Sequence, residues 1–162
     1  MICIIMGVSG CGKTTVGKLL SKPTGWNFYD ADDFHPPENI EKMSQRIRLT
    51  DGDRQPWLHT LKNLIDDIIA QNNHGIIACS ALKSFYREIL HGEHQNIHWV
   101  YLQGDYLVIL ERIKKRKNHF MKPEMLRSQF DDLEEPTNAL TLSILLPLED
   151  IVNQILAHLN LL

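Results

Sequence analysis

Residues 7–14 read Gly7-Val8-Ser9-Gly10-Cys11-Gly12-Lys13-Thr14 and satisfy the pattern G-x-x-x-x-G-K-[ST] in full. The apolar run Ile2 to Met6 precedes them, and a helical pattern with Val16, Leu19 and Leu20 apolar follows. These are the strand and the helix that the pattern requires around it. Glycines let the backbone turn so that successive N–H groups face phosphate oxygens, and the helix N-terminus adds its dipole. The expected chemistry is a cradle for nucleotide phosphates made by Gly7, Val8, Ser9, Gly10, Cys11, Gly12 and Thr15. Lys13 then reaches the β- and γ-phosphates of a nucleotide such as ATP, and the Thr14 hydroxyl ligates Mg²⁺. The bland alternative is a glycine turn that joins strand to helix without a ligand.

A second group able to do chemistry is Asp30-Ala31-Asp32-Asp33, at the C-terminal end of a short strand read over Trp26 to Tyr29. Ligands of open α/β sheets bind at that edge. One of Asp30 and Asp32 can serve the Mg²⁺ water shell while the other accepts a proton from an acceptor hydroxyl. Motor ATPases and GTPases carry an acid at the end of a later apolar strand. Here those strands end Ile76-Ile77-Ala78-Cys79-Ser80 and Val100-Tyr101-Leu102-Gln103, without one. His35, beside the acids, is a candidate substrate contact.

Between Arg112 and Lys122 lie Arg112, Lys114, Lys115, Arg116, Lys117 and Lys122 without a single acid, next to Asn118-His119-Phe120-Met121. This segment reads as a lid over the transferring phosphate, at about residues 114–124, with Arg112 and Arg116 as nucleotide contacts and Arg116 acting in the transfer. A solvated helix face is the competing meaning of such a run. Arg54, Lys83 and Arg87 are further cations that could hold an anionic substrate. His91, His94 and His98 read as surface residues rather than metal ligands. Cys3, Cys11 and Cys79 fit no zinc spacing and read as reduced thiols. Of the three, Cys11 is expected to be the most readily alkylated, because it precedes a helix N-terminus.

Strands at Ile2–Met6, 26–29, 75–79, 97–102 and 140–145 alternate with helices that start near Thr15, Pro56, Ala81, Asp105, Lys122 and Glu149. Pro23 and Gly25 stop the first helix, and residues 34–55, with Pro36, Pro37 and Gly52 and no clean period, read as partly irregular. The expected fold is α/β: three layers, with a parallel sheet of about five strands flanked by helices. All 162 residues form one domain, with a substrate-binding excursion at about residues 31–60.

Composition narrows the partners. A net charge of −3 offers no basic field for a nucleic acid backbone. No apolar run approaches the roughly 18 residues that a membrane span needs, so a cytoplasmic protein acting on a small molecule is expected.

Several blocks together resemble gluconate kinase (gluconokinase). They are residues 7–17, Phe28-Tyr29-Asp30-Ala31-Asp32-Asp33-Phe34-His35-Pro36, Asp53-Arg54-Gln55-Pro56-Trp57-Leu58, Cys79-Ser80-Ala81-Leu82-Lys83, Tyr86-Arg87, Asn118-His119-Phe120-Met121 and Ser128-Gln129-Phe130. The resemblance runs from the first strand to about Glu135. It implies a shikimate-kinase-like P-loop fold and transfer of the ATP γ-phosphoryl group to the 6-hydroxyl of D-gluconate. A shikimate or nucleoside kinase, or a nucleotide-binding switch without an acceptor, are the alternatives. By similarity Asp32 faces the acceptor hydroxyl, Asp30 supports Mg²⁺, Arg54, Lys83 and Arg87 meet the sugar acid, and Arg116 with His119 belongs to the lid. Members of this family are often homodimers. The chain departs from the family with Cys11 where serine is usual, Asn118 where glycine is usual, Lys22-Pro23 in the first helix, and Leu140 to Leu146 after Pro136.

Overall fold

The structure, a computed structural model, describes residues 1–116 and 122–162. Its centre is β1 (Ile2–Met6), the middle strand of a five-stranded parallel sheet in the order β2-β3-β1-β4-β5. The others are β2 (Asn27–Asp30), β3 (Gly75–Ala78), β4 (Ile97–Gln103) and β5 (Leu140–Ser143). Each residue of β1 is fully buried, because side chains alternate between two covered faces. Ile2, Ile4 and Met6 pack with Leu58, Leu61 and Ile65 of α3 (Asp51–Ala70) and Leu90 of α4 (Ser84–His91). Cys3 and Ile5 pack with Val16 and Leu20 of α1 (Lys13–Thr24), Ile109 and Ile113 of α5 (Tyr106–Lys115), and Ile155 of α7 (Leu148–His158). The expected three-layer α/β fold is the one observed.

Three local readings need correction. The segment over residues 34–55 is largely helical: α2 spans Pro37–Ser44, and α3 begins at Asp51 instead of Pro56. Its start is set by a capping box in which Thr50 Oγ1 accepts from Asp53 N at 3.1 Å and Asp53 Oδ2 accepts from Thr50 N at 2.9 Å. Pro56 removes only the hydrogen bond to the Gly52 carbonyl, which lies on an exposed turn open to water. In α1, Pro23 sits in the last turn without ending it, and Gly25 stops the helix in the left-handed region at φ 69°. Finally, Asp30 is the last residue of its strand. Asp32 and Asp33 lie in the 3-10 turn Ala31–Phe34, whose N-terminus the Asp30 side chain caps by accepting from Asp32 N at 3.0 Å.

Gly17 shows how closely α1 lies against the sheet. A Cβ there would come within 2.3 Å of the Phe28 ring, so the glycine lets α1 approach β2. Among the described residues no helix is long and apolar enough to cross a membrane.

Candidate active site

The C-terminal ends of β1, β2 and β3 open into one cavity of about 710 Å³. Its floor is the phosphate loop, one wall is the 3-10 turn with α2 and the start of α3, and the other is α6 (Pro123–Asp132). In the loop, Gly7, Gly10 and Gly12 hold φ angles of 147°, 84° and 102°, a region costly for residues with a Cβ. A Cβ at Gly10 would also meet Ile113 at 2.8 Å. Gly12 caps α1, whose first turn carries no acid to compete for its amides. Lys13 bends back over the loop and donates from Nζ to Gly7 O at 2.9 Å and Val8 O at 3.0 Å.

Facing the loop are Asp30 and Asp32. The Asp32 side chain is 79% exposed, open to the cavity's water. Its carboxyl is nevertheless held above the ordinary carboxylate range by the surrounding protein first and by the Asp30 charge second, with Lys13 pulling the other way. Arg54 completes the facing wall. Its Nη1 donates to Tyr86 Oη at 3.0 Å, leaving the rest of the guanidinium fork for the cavity.

His35 lies beneath these groups, stacked on Trp57 at 4.5 Å with an interplanar angle of 10°. Trp57 in turn donates from Nε1 to Ala31 O at 2.7 Å, which fixes the platform. Burial, reinforced by the Arg54 charge, pushes the His35 imidazole down to about 4. Since its unfolded value is 6.5, the folded chain binds the proton less well. This contribution to stability is complete above about pH 6.5 and is lost as pH falls toward 4, the loss reaching about 2 kcal/mol at pH 5. Melting temperatures measured from pH 7 to pH 5 are expected to fall more steeply for the wild type than for His35→Gln. Parallel slopes would remove this role.

Of the residues singled out by sequence, Ser9, Gly10, Gly12, Lys13, Thr14 and Thr15 of the loop come together with Asp30, Asp32, His35, Arg54 and Arg116 around the cavity, whereas Gly7, Val8 and Cys11 lie outside its lining. Others are engaged elsewhere. Lys83 Nζ pairs with Asp51 Oδ1 at 2.9 Å, and Arg87 donates to Ala81 O, Leu82 O and Glu134 O at 2.7, 3.0 and 2.7 Å. Both guanidinium and ammonium are therefore used to hold the β3–α4 connection, outside the cavity lining. Arg112 Nη2 donates to Ile144 O at 2.7 Å, fastening α5 to the chain after β5 instead of facing a nucleotide. Cys11 is 2% exposed with its side chain in the core, so the expected selective alkylation loses its basis: the loop backbone turns outward and the thiol inward. His119 and the lid residues 117–121 lie outside the described residues. His94 pairs with Asp66 at 2.7 Å and His91 accepts from Trp99 Nε1 at 3.1 Å, while His98 stacks edge-on with His158.

Sequence reasoning assigned no role to the polar face of α6. Met125, Ser128, Gln129 and Asp132 all line the cavity, and Ser9 N donates to Gln129 Oε1 at 2.7 Å. Asp132 pairs with Arg48, joining α6 to the segment between α2 and α3. Positions i, i+3, i+4 and i+7 form one helical stripe, a signal present in the sequence.

Residues 9–143 match the family described as shikimate kinase. The chain is 46% identical over 133 residues to the thermosensitive gluconokinase of Escherichia coli (strain K12), a match covering 82% of this chain and 71% of that protein. It is 40% identical to a gluconokinase of Arabidopsis thaliana, across 96% of this chain and 90% of the relative. The crystal structure of a gluconokinase from Sinorhizobium meliloti 1021 superposes with a TM-score of 0.87 at 38% identity, over 98% of this chain and 90% of that one.

Proposed function

The chain belongs to the gluconokinase family, within the wider shikimate kinase family, and on that membership we propose that it transfers the γ-phosphoryl group of ATP to the 6-hydroxyl of D-gluconate, giving 6-phospho-D-gluconate. The observation that carries this reading is one cavity in which the Lys13 loop, a carboxylate pair and an arginine come together. A phosphoryl donor, an acceptor hydroxyl and an anionic head group each find their chemical complement there.

The donor phosphates are bound by the loop amides and Lys13, with the dipole of α1 behind them. Thr14 and Asp30, both at the cavity, are the residues that would hold Mg²⁺, Thr14 through its hydroxyl and Asp30 through the ion's water shell. Mg²⁺ takes most of its ligands from phosphate and water, so one hydroxyl and one carboxylate suffice on the protein side. When bound, Mg²⁺ neutralises charge on the β- and γ-phosphate oxygens.

Asp32 accepts the hydrogen of the acceptor hydroxyl and holds its oxygen toward the γ-phosphorus. Its raised pKa makes it a stronger base than an ordinary exposed carboxylate. Arg54 binds the substrate carboxylate through its free guanidinium edge, and Arg116, which lines the same cavity, meets the transferring phosphoryl group. The same reading has the enzyme working in the cytoplasm, as a homodimer.

A coupled ADP-release assay over D-gluconate, other sugar acids, shikimate and nucleosides, with and without Mg²⁺, tests the assignment. Release is expected to depend on both D-gluconate and Mg²⁺. Equal rates with and without D-gluconate would overturn it.

A further inference from the structure

Asn39 is a polar residue of α2, only 3% exposed, and no role in phosphoryl transfer requires it. Its Nδ2 lies 2.8 Å from the Asp53 carbonyl oxygen and 3.2 Å from His35 Nδ1. A carbonyl oxygen only accepts, so the atom facing Asp53 is the NH₂ group of the amide. That group only donates. His35 Nδ1 must therefore present its lone pair to the second amide hydrogen, and the single proton of the neutral ring sits on Nε2. Burial and the Arg54 charge keep the ring neutral at pH 7, so no second proton blurs this assignment.

His35 Nε2 is 3.9 Å from Asp32 Oδ1, too far for a direct hydrogen bond. Both residues line the cavity. A hydroxyl oxygen lying beside the gap is within reach of both: it donates its hydrogen to Asp32 and accepts from His35 Nε2–H. The second carboxylate oxygen of Asp32 stays available for the transferring hydroxyl. The ring has no freedom to turn away, because Trp57 stacks beneath it and Asn39 holds its edge.

We propose that Asn39 is a positioning residue for substrate specificity, holding His35 as the Nε2–H tautomer so that His35 and Asp32 together read one hydroxyl of the acceptor polyol. The kinetic part of this inference rests on the proposed gluconokinase activity, whereas the tautomer stands on the free protein alone.

Two measurements test it. In ¹⁵N-histidine-labelled full-length protein at pH 7, two-bond ¹H–¹⁵N correlations are expected to give the Nε2–H pattern for His35, assigned by its loss in His35→Gln. An Nδ1–H pattern overturns the proposal. In kinetics, Asn39→Ala is expected to raise KM for D-gluconate about 10-fold, the scale of one lost hydrogen bond, with a smaller change in kcat and in KM for ATP. Asn39→Ala also leaves the Asp53 carbonyl without that donor and could unfold the chain, so the deciding comparison is made in the His35→Gln background, where the glutamine amide offers a donor that does not depend on Asn39. There the added Asn39→Ala change is expected to leave KM for D-gluconate nearly unmoved. Equal KM increases in both backgrounds would mean a purely structural role and overturn the specificity assignment. If D-gluconate is not the acceptor, the wild type shows no D-gluconate-dependent ADP release while the NMR measurement still decides the tautomer.

Discussion

Lys13→Ala is expected to lower kcat by at least about 10³-fold in a chain that remains folded. Lys13 is the cation nearest the loop, with Nζ held at 2.9 and 3.0 Å from two loop carbonyls. The other cavity cations, Arg48, Arg54 and Arg116, come from the opposite wall and the C-terminal end of α5. Arg48 is already paired with Asp132, and Arg54 is bonded to Tyr86. Neither can move onto the β- and γ-phosphates without giving up its partner. A charge fixed before the reaction needs no reorganisation as the transition state forms, and so stabilises it more than a mobile charge in bulk solvent does. Removing two part-buried hydrogen bonds from the loop costs about 1 to 3 kcal/mol, a few degrees in Tm for a chain of this size. ADP release and thermal melting, measured on the same preparation, separate the two effects. A folded variant within tenfold of wild-type turnover would show that the lysine does not meet the phosphates.

For Asp32→Asn the expected result is a fall in kcat of at least about 10²-fold, the usual contribution of a positioned general base, with KM for ATP nearly unchanged. Phosphoryl transfer is mostly alignment and charge stabilisation, so misdirection of the acceptor hydroxyl supplies much of that loss. The melting temperature should not fall. Asp32 carries a raised pKa because its surroundings and Asp30 disfavour its charge, so the ionised side chain at pH 7 is a burden on the fold that the neutral isostere removes. Asp30→Asn differs in kind. Asp30 caps the 3-10 turn by accepting from Asp32 N at 3.0 Å, an interaction that asparagine's carbonyl oxygen can keep, so its expected signature is a steeper Mg²⁺ requirement. Turnover of Asp32→Asn within a few-fold of wild type, or loss of ATP binding together with activity, would move the acceptor role to Asp33 or His35.

The strand, glycine loop and helix at the start of the chain were legible because each is a local pattern. A continuous apolar run is what a strand covered on both faces requires, and the three glycines sit at backbone angles that other residues avoid. The start of α3 is as local but less legible, since Thr50-x-x-Asp53 is a capping box with aspartate in the place usually held by glutamate or glutamine. Asp32 was found as a residue, yet its setting was not: it leaves the strand after Asp30 and enters a 3-10 turn. A run of acids at a strand end does not reveal where the strand stops.

Motif, composition and periodicity define the chemistry on offer: a phosphate loop, a carboxylate group, a basic segment and enough apolar periodicity for a covered parallel sheet. Packing sets which of those groups meet. Lys83, Arg87 and Arg112 look no different in sequence from Arg48, Arg54 and Arg116, but the first three are spent on Asp51 and on backbone carbonyls while the last three line the cavity. Gln129 reaches Ser9 across 120 positions of chain, and His35 receives its tautomer from Asn39 only because α3 brings the Asp53 carbonyl beside it. Motif and period act over a few residues and set the backbone. The partner of a charged or polar side chain is whichever complementary group the packed elements bring within about 3 Å, and that distance has no local signature.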